Sequence, residues 1–194
     1  MKLIVCLIKG FLRLVFRIQV HGAENFPADG AVIVALNHKS NWDGPIAAIM
    51  LPRTLCFMAK KVLFKIPVVS TVLKRAHAIP VNRNGFDISA IKAAMAALKA
   101  GKGIGIFPEG TRVFTDERPQ AKSGAAMMAE KTGTPIVPVA IRGHYRLWAK
   151  IDLLIGKPIT VKAAEGKLSP EELQTVTDNL MNTIYDMVDT GKIQ

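Results

Sequence analysis

Two short segments carry the residue types from which a group-transfer site is built. The first is Asn37-His38-Lys39-Ser40-Asn41-Trp42-Asp43, which sets an imidazole and a carboxylate close together. The second is Phe107-Pro108-Glu109-Gly110-Thr111-Arg112, which sets an arginine and backbone amides beside a glycine. An imidazole titrates near neutrality and can take a proton from an alcohol. A carboxylate on its other ring nitrogen fixes the tautomer and stabilises the imidazolium. A guanidinium presents a planar fork suited to phosphate, and glycine admits backbone close to a ligand. A base with its orienting acid, beside an anion-binding turn, is equipment for moving an acyl group onto a phosphorylated alcohol.

On a continuous helix His38 and Asp43 would lie about 140° apart, so they meet only if the chain turns between them. Asn41, Asp43, Gly44 and Pro45 supply turn and helix-start chemistry for that. Spacing alone leaves a second reading open, because Ser40-x-x-Asp43 also has the form of a capping box and His38 could be structural. In the second segment Pro108 biases Phe107 toward extended geometry and ends a strand, and Glu109 can hold Arg112 in place. The alternative there is a polar turn with a surface ion pair.

Each segment directly follows an apolar run, residues 31–36 and 104–107, which puts both at strand ends, where open α/β sheets place their sites. Strands are expected at 31–36, 55–58, 76–81, 103–107, 136–141 and 159–161. Helices are expected at 3–18, briefly after Asp43, and at 62–74, 87–100, 122–131 and 170–188. The last opens with Ser169-Pro170-Glu171-Glu172, an N-cap serine, a proline at the first helical position and two acids. Leu173, Val176, Leu180, Ile184 and Val188 mark its buried face. This alternation predicts a single α/β domain with a mostly parallel sheet flanked by helices. Pro135 and Pro138 point to an edge or irregular position for the strand at 136–141. Gly101-x-Gly103-x-Gly105 leads into a strand instead of opening a helix, which excludes a dinucleotide loop.

The 194 residues suffice for one domain with a sizeable core, and with half of them hydrophobic the chain is not of the disordered class. Cys6 and Cys56 lie far apart in apolar runs, which reads as buried thiols in a reducing cytoplasm. His21, His77 and His144 have no ligand-spaced partners, so no metal site is expected. Ser40 lacks the Gly-x-Ser-x-Gly elbow of a hydrolase nucleophile.

The net charge of +11 is concentrated. Residues 1–20 contribute +4 through Lys2, Lys9, Arg13 and Arg17, and residues 52–84 contribute +7, neither stretch holding an acid. Localised basicity implies an anionic partner. On a helix the four N-terminal cations fall within roughly 80° of one another, with apolar residues filling most of the rest. That pattern predicts an amphipathic helix lying on an anionic membrane surface. Its longest apolar run is too short to span, and no cleavage site of a signal peptide follows. Nucleic acid is disfavoured, because the basic stretches hold few aromatics for base stacking.

Taken together, Asn-His-x4-Asp and Phe-Pro-Glu-Gly-Thr-Arg resemble the glycerolipid acyltransferase family, its bacterial 1-acylglycerol-3-phosphate acyltransferases most of all. Lys60-Lys61-Val62-Leu63-Phe64-Lys65-Ile66-Pro67, Ile79-Pro80-Val81-Asn82-Arg83 and Ile136-Val137-Pro138-Val139 resemble its further motifs, in the expected order over roughly residues 20–145. The resemblance implies His38 as general base and Asp43 as its orienting partner. Arg83, Glu109, Gly110 and Arg112 would form the acceptor site, with Lys60 a further phosphate contact and Thr111 shaping the turn. The expected organisation is an acyltransferase domain over 21–194, preceded by the membrane-associating helix at 1–20 that the charge pattern predicts, on the cytoplasmic face of the cell membrane. The implied reaction moves a fatty acyl group from acyl-coenzyme A or acyl-acyl carrier protein to lysophosphatidic acid, without a cofactor or metal. Another lysolipid or glycerol phosphate is the alternative acceptor, and a non-catalytic membrane-surface protein the alternative of another class. Three features depart from the family pattern: Val113 stands where many relatives have serine, Lys122-Ser123-Gly124 is a looser lysine-glycine pair, and the N-terminal region leaves room for one helix.

Overall fold

The computed structural model describes residues 10–82, 87–115, 118–163 and 166–194. Seven strands form one sheet: β1 (Arg17–His21), β2 (Val32–Leu36), β3 (Leu55–Lys60), β4 (Ile79–Val81), β5 (Gly103–Ile106), β6 (Ile136–Gly143) and β7 (Lys150–Ile155). Their order is β1-β7-β6-β2-β5-β3-β4. All neighbours are parallel except β6 and β7. The helices are α1 (Asp43–Met50), α2 (Pro67–Arg75), α3 (Ile88–Lys99), α4 (Gly124–Thr132) and α5 (Pro170–Thr190). The fold is thus the expected α/β domain with a mostly parallel sheet.

Successive side chains of a strand point to opposite faces, and β2, wholly buried, shows what each face meets. Ile33 and Ala35 join a core with Ala90, Ala94 and Leu98 of α3, Met128 of α4 and Ile184 of α5. Val32, Val34 and Leu36 join the opposite core with Leu12, Phe16 and with Ile46 and Ala47 of α1. Helix α5 begins as its sequence specifies. The Ser169 hydroxyl accepts from the Glu172 amide at 3.2 Å, and the Glu172 carboxylate accepts from the Ser169 amide at 2.7 Å. Cys56 is a buried free thiol, its pKa raised by burial.

Several expectations are corrected. The helix expected at 3–18 is helical at 10–15 and gives way to β1, because Ile18 and Val20 alternate with polar residues and the Arg17 amide bonds the Ala149 carbonyl at 2.9 Å. Residues 1–9 lie outside the described residues. β6 is central, not an edge. The Pro138 carbonyl accepts from Gly156 at 2.9 Å on the β7 side, where the paired stretch ends at Ile155, so the missing Pro138 N–H falls beyond the ladder. Residues 159–161 supply only a bridge, Ile136 to Ile159, while β7 forms from a segment not assigned as a strand. The helix expected over 62–74 divides into a 3₁₀ turn, Lys61–Lys65, and α2, with Pro67 at the helix start. Among the described residues no helix is long and apolar enough to cross a membrane.

The glycines of β5 make room for neighbours. A Cβ on Gly103 would stand 2.5 Å from Leu55, and one on Gly105 2.3 Å from the Phe57 ring, itself 6.1 Å from Phe107. Gly105→Val is therefore expected to destabilise the fold by about 1–3 kcal/mol through overpacking. A urea denaturation midpoint unchanged from the wild type would show that the ring yields freely.

Candidate active site

The loops that follow β2 and β5 emerge side by side on one rim of the sheet, since these strands are parallel neighbours. Asn37 anchors the first loop: its side-chain amide donates to the Ile141 carbonyl at 3.0 Å and accepts from the Ile141 amide at 2.7 Å, extending the ladder by one side chain. The two loops are then joined through the backbone of His38. Its amide donates to Glu109 Oε2 at 2.7 Å, and its carbonyl accepts from the Val113 amide at 2.8 Å. The His38 ring stacks on Phe107, centroids 4.2 Å apart.

The chain turns between His38 and α1, and the carboxylate of Asp43, the first residue of α1, meets the imidazole. His38 Nδ1 stands 2.8 Å from Asp43 Oδ2. The same oxygen accepts the amides of Lys39 at 2.7 Å and Ser40 at 2.6 Å, and Oδ1 accepts the Tyr145 hydroxyl. Ser40 does not cap α1; the cap residue is Trp42, with no side-chain cap bond. An ionised carboxylate only accepts, so Nδ1 carries the proton and Nε2 keeps a free lone pair. The imidazole is one tenth exposed and the carboxylate 1%. Such a pair can take a proton from a hydroxyl placed against Nε2.

Glu109 turns inward. It is 5% exposed, with Oε2 on the His38 amide and Oε1 accepting the Tyr185 hydroxyl of α5 at 2.6 Å. Its oxygens are thus engaged by protein donors, and it connects the His38 loop to α5. Gly110 has φ +71°, a conformation glycine adopts freely, and Lys122 carbon lies 3.1 Å from where a Cβ would be. Thr111 is exposed, and half-buried Arg112 lies over the Phe114 ring at 5.1 Å. Lys60, exposed at the end of β3, stands on the same rim. Arg83 lies outside the described residues. Val113 is buried and gives its amide to the His38 carbonyl. Among the described residues no three His, Cys, Asp or Glu are grouped to hold a metal.

Beside the Phe107–Gly110 turn opens a cleft of about 590 Å³. Met58, Val81, Ile91, Ile106 and Met128 make it apolar, and Lys122, Ser123 and Gly124, at the start of α4, form a polar part of its wall. Tyr145, Tyr185 and Lys122 are site residues that sequence reasoning did not select. Lys122 had a signal in the loose lysine-glycine pair, whereas the two tyrosines meet their carboxylates only through the fold.

Burial pushes the Glu109 carboxyl up to about 7 from its ordinary 4.5, against the lowering effect of its Tyr185 and His38 donors. A folded-state pKa above the unfolded one means that, between these values, the folded chain holds a proton the unfolded chain has released. Stability from this group is complete below about pH 4.5 and falls as pH rises to about 7. Glu109→Gln is expected to flatten that slope in denaturation measured across the window. An unaltered slope in the variant would place the titration elsewhere.

The acyltransferase family model matches residues 17–142. A 1-acyl-sn-glycerol-3-phosphate acyltransferase of Bacillus subtilis is 34% identical, the match covering 88% of this chain and 87% of that one. One of Borreliella burgdorferi is 33% identical, covering 91% of this chain and 74% of that one. The crystal structure of the 1-acyl-sn-glycerophosphate acyltransferase PlsC from Thermotoga maritima is similar with a TM-score of 0.75 and 28% identity, covering all of this chain and 82% of that one. With its fold, its two loops and more than half its length in agreement, the chain belongs to the acyltransferase family and is an acyltransferase.

Proposed function

We propose that this acyltransferase moves a fatty acyl group from a thioester to the sn-2 hydroxyl of lysophosphatidic acid, forming phosphatidic acid. The observation that carries the reading is the hydrogen-bonded His38–Asp43 pair, with the His38 backbone joined to the Glu109 side chain and to the Val113 amide that follows the second loop. It is supported by the names of the Bacillus and Borreliella relatives.

His38 Nε2 takes the proton of the acceptor hydroxyl as its oxygen attacks the thioester carbonyl. The resulting imidazolium is stabilised through Nδ1 by Asp43. Collapse of the tetrahedral intermediate expels the thiolate of coenzyme A or of an acyl carrier protein, which takes the proton back from His38. Backbone amides at the Gly110 turn offer donors to the oxyanion, and Arg112, Arg83 and Lys60 are the cations for the acceptor phosphate. The apolar cleft suits an acyl chain. The reaction takes place at an anionic membrane surface, on the cytoplasmic face of the cell membrane.

The test is formation of phosphatidic acid from lysophosphatidic acid in vesicles, with each thioester offered separately. His38→Ala is expected to lower turnover about 10²–10⁴-fold. Wild-type transfer to glycerol phosphate or another lysolipid in place of lysophosphatidic acid would reassign the acceptor, and near-normal turnover in the variant would remove His38 as base.

Tyr145 is assigned a positioning role, holding Asp43 by one oxygen while the other faces His38. Tyr145→Phe is expected to lower kcat about tenfold, the lower end for a hydrogen bond to a charged group, with little change in KM. An unchanged kcat in the variant would reduce Tyr145 to packing.

A further inference from the structure

The reversal of direction at β7 gathers distant chain segments onto one side of the molecule. β6 and β2 are parallel, and β7 and β1 run against them. The starts of β1 and β7 therefore lie on the rim where β2 and β6 end and where His38 is held. Backbone bonds join them: the Trp148 amide donates to the Val15 carbonyl at 2.7 Å, and the Arg17 amide to the Ala149 carbonyl at 2.9 Å. Phe16 lies edge-on to both Trp42 and Tyr145, at 5.8 and 5.9 Å, which brings the Trp42 loop into the same cluster.

This rim carries large apolar side chains in solvent. Leu147 is 72% exposed, Leu14 70%, Trp148 66%, Phe11 55% and Trp42 41%. Around them stand exposed Arg13, Arg17, Lys39 and Arg146, whereas the nearby carboxylates Asp43 and Glu109 are buried on internal donors. Trp148 also has φ +64°, a costly conformation for a bulky residue, and the packing of a mostly exposed indole does not offset it. Backbone cost retained at an exposed aromatic points to a use outside the folded chain. Tryptophan with leucine, ringed by cations, matches the boundary between anionic headgroups and acyl chains.

We propose that the 144–149 loop and Trp42 form a second bilayer contact, with Leu147 and Trp148 entering the acyl boundary and the cations meeting anionic headgroups. Together with residues 10–15 it lies on the rim that holds His38, so an acceptor reaches the base without leaving the membrane. This rests on the reading of the acceptor as a lysolipid.

Trp42→Phe leaves Trp148 as the single tryptophan of the chain. Its emission is expected to shift to the blue with phosphatidylglycerol vesicles, much less with phosphatidylcholine, and to be quenched by brominated acyl chains. An unmoved emission while the protein sediments with the vesicles overturns the proposal, as does an equal shift with both lipids. Leu147→Ser combined with Trp148→Ser is expected to weaken partition to phosphatidylglycerol tenfold or more. Turnover on vesicle-borne lysophosphatidic acid should fall with it, and turnover on a short-chain, water-soluble acceptor should stay within twofold. Partition equal to the wild type overturns the proposal. The fluorescence arm needs no catalysis, so a wild type inactive on lysophosphatidic acid would remove the assigned reaction and leave the membrane contact decided separately.

Discussion

Asp43 is a carboxylate withdrawn from water, and the site is arranged around that cost. Burying an anion is strongly unfavourable unless donors replace its hydration. Here the Lys39 and Ser40 amides, His38 Nδ1 and the Tyr145 hydroxyl supply them. Its place in the first turn of α1 adds the favourable end of the helix dipole. Because the backbone donors come from the loop leading into α1, satisfying the carboxylate forces the turn that brings His38 back onto it. Orientation of the imidazole is thus a consequence of solvating a buried charge.

The second loop is tied to the first by a similar exchange. Glu109 takes the amide of His38 and the hydroxyl of Tyr185, while Val113 returns an amide to the His38 carbonyl. Within its glycine-bearing turn Glu109 serves the scaffold: it is buried on these two donors, and its raised pKa diminishes its charge near neutrality. The stack of His38 on Phe107, with Phe57 behind and Gly105 making space, carries the support down into the sheet.

Much of this was legible in the chain itself. Local rules bounded α5 through its serine cap, proline and acids. The apolar run at 31–36 marked a buried strand, and residue chemistry at fixed spacing marked His38, Asp43 and the Gly110 turn. The errors arose where a local pattern had two solutions. Arg17 fits a basic helical stripe, yet Ile18 and Val20 also alternate, and the β7 edge selected the strand. Pro138 suggests an edge in isolation, but its missing donor costs nothing where the neighbouring ladder ends.

The sequence by itself determined the α/β class, the residue chemistry of the two loops and the concentration of positive charge, because these depend on side-chain type and short-range periodicity. Only the tertiary structure decided that Tyr145 serves Asp43, that Glu109 faces inward, and that Trp148, Trp42 and residues 15–17 share the rim with His38. Those relations join residues roughly seventy or more positions apart in several cases, and they follow from strand order and direction, which no local spacing encodes.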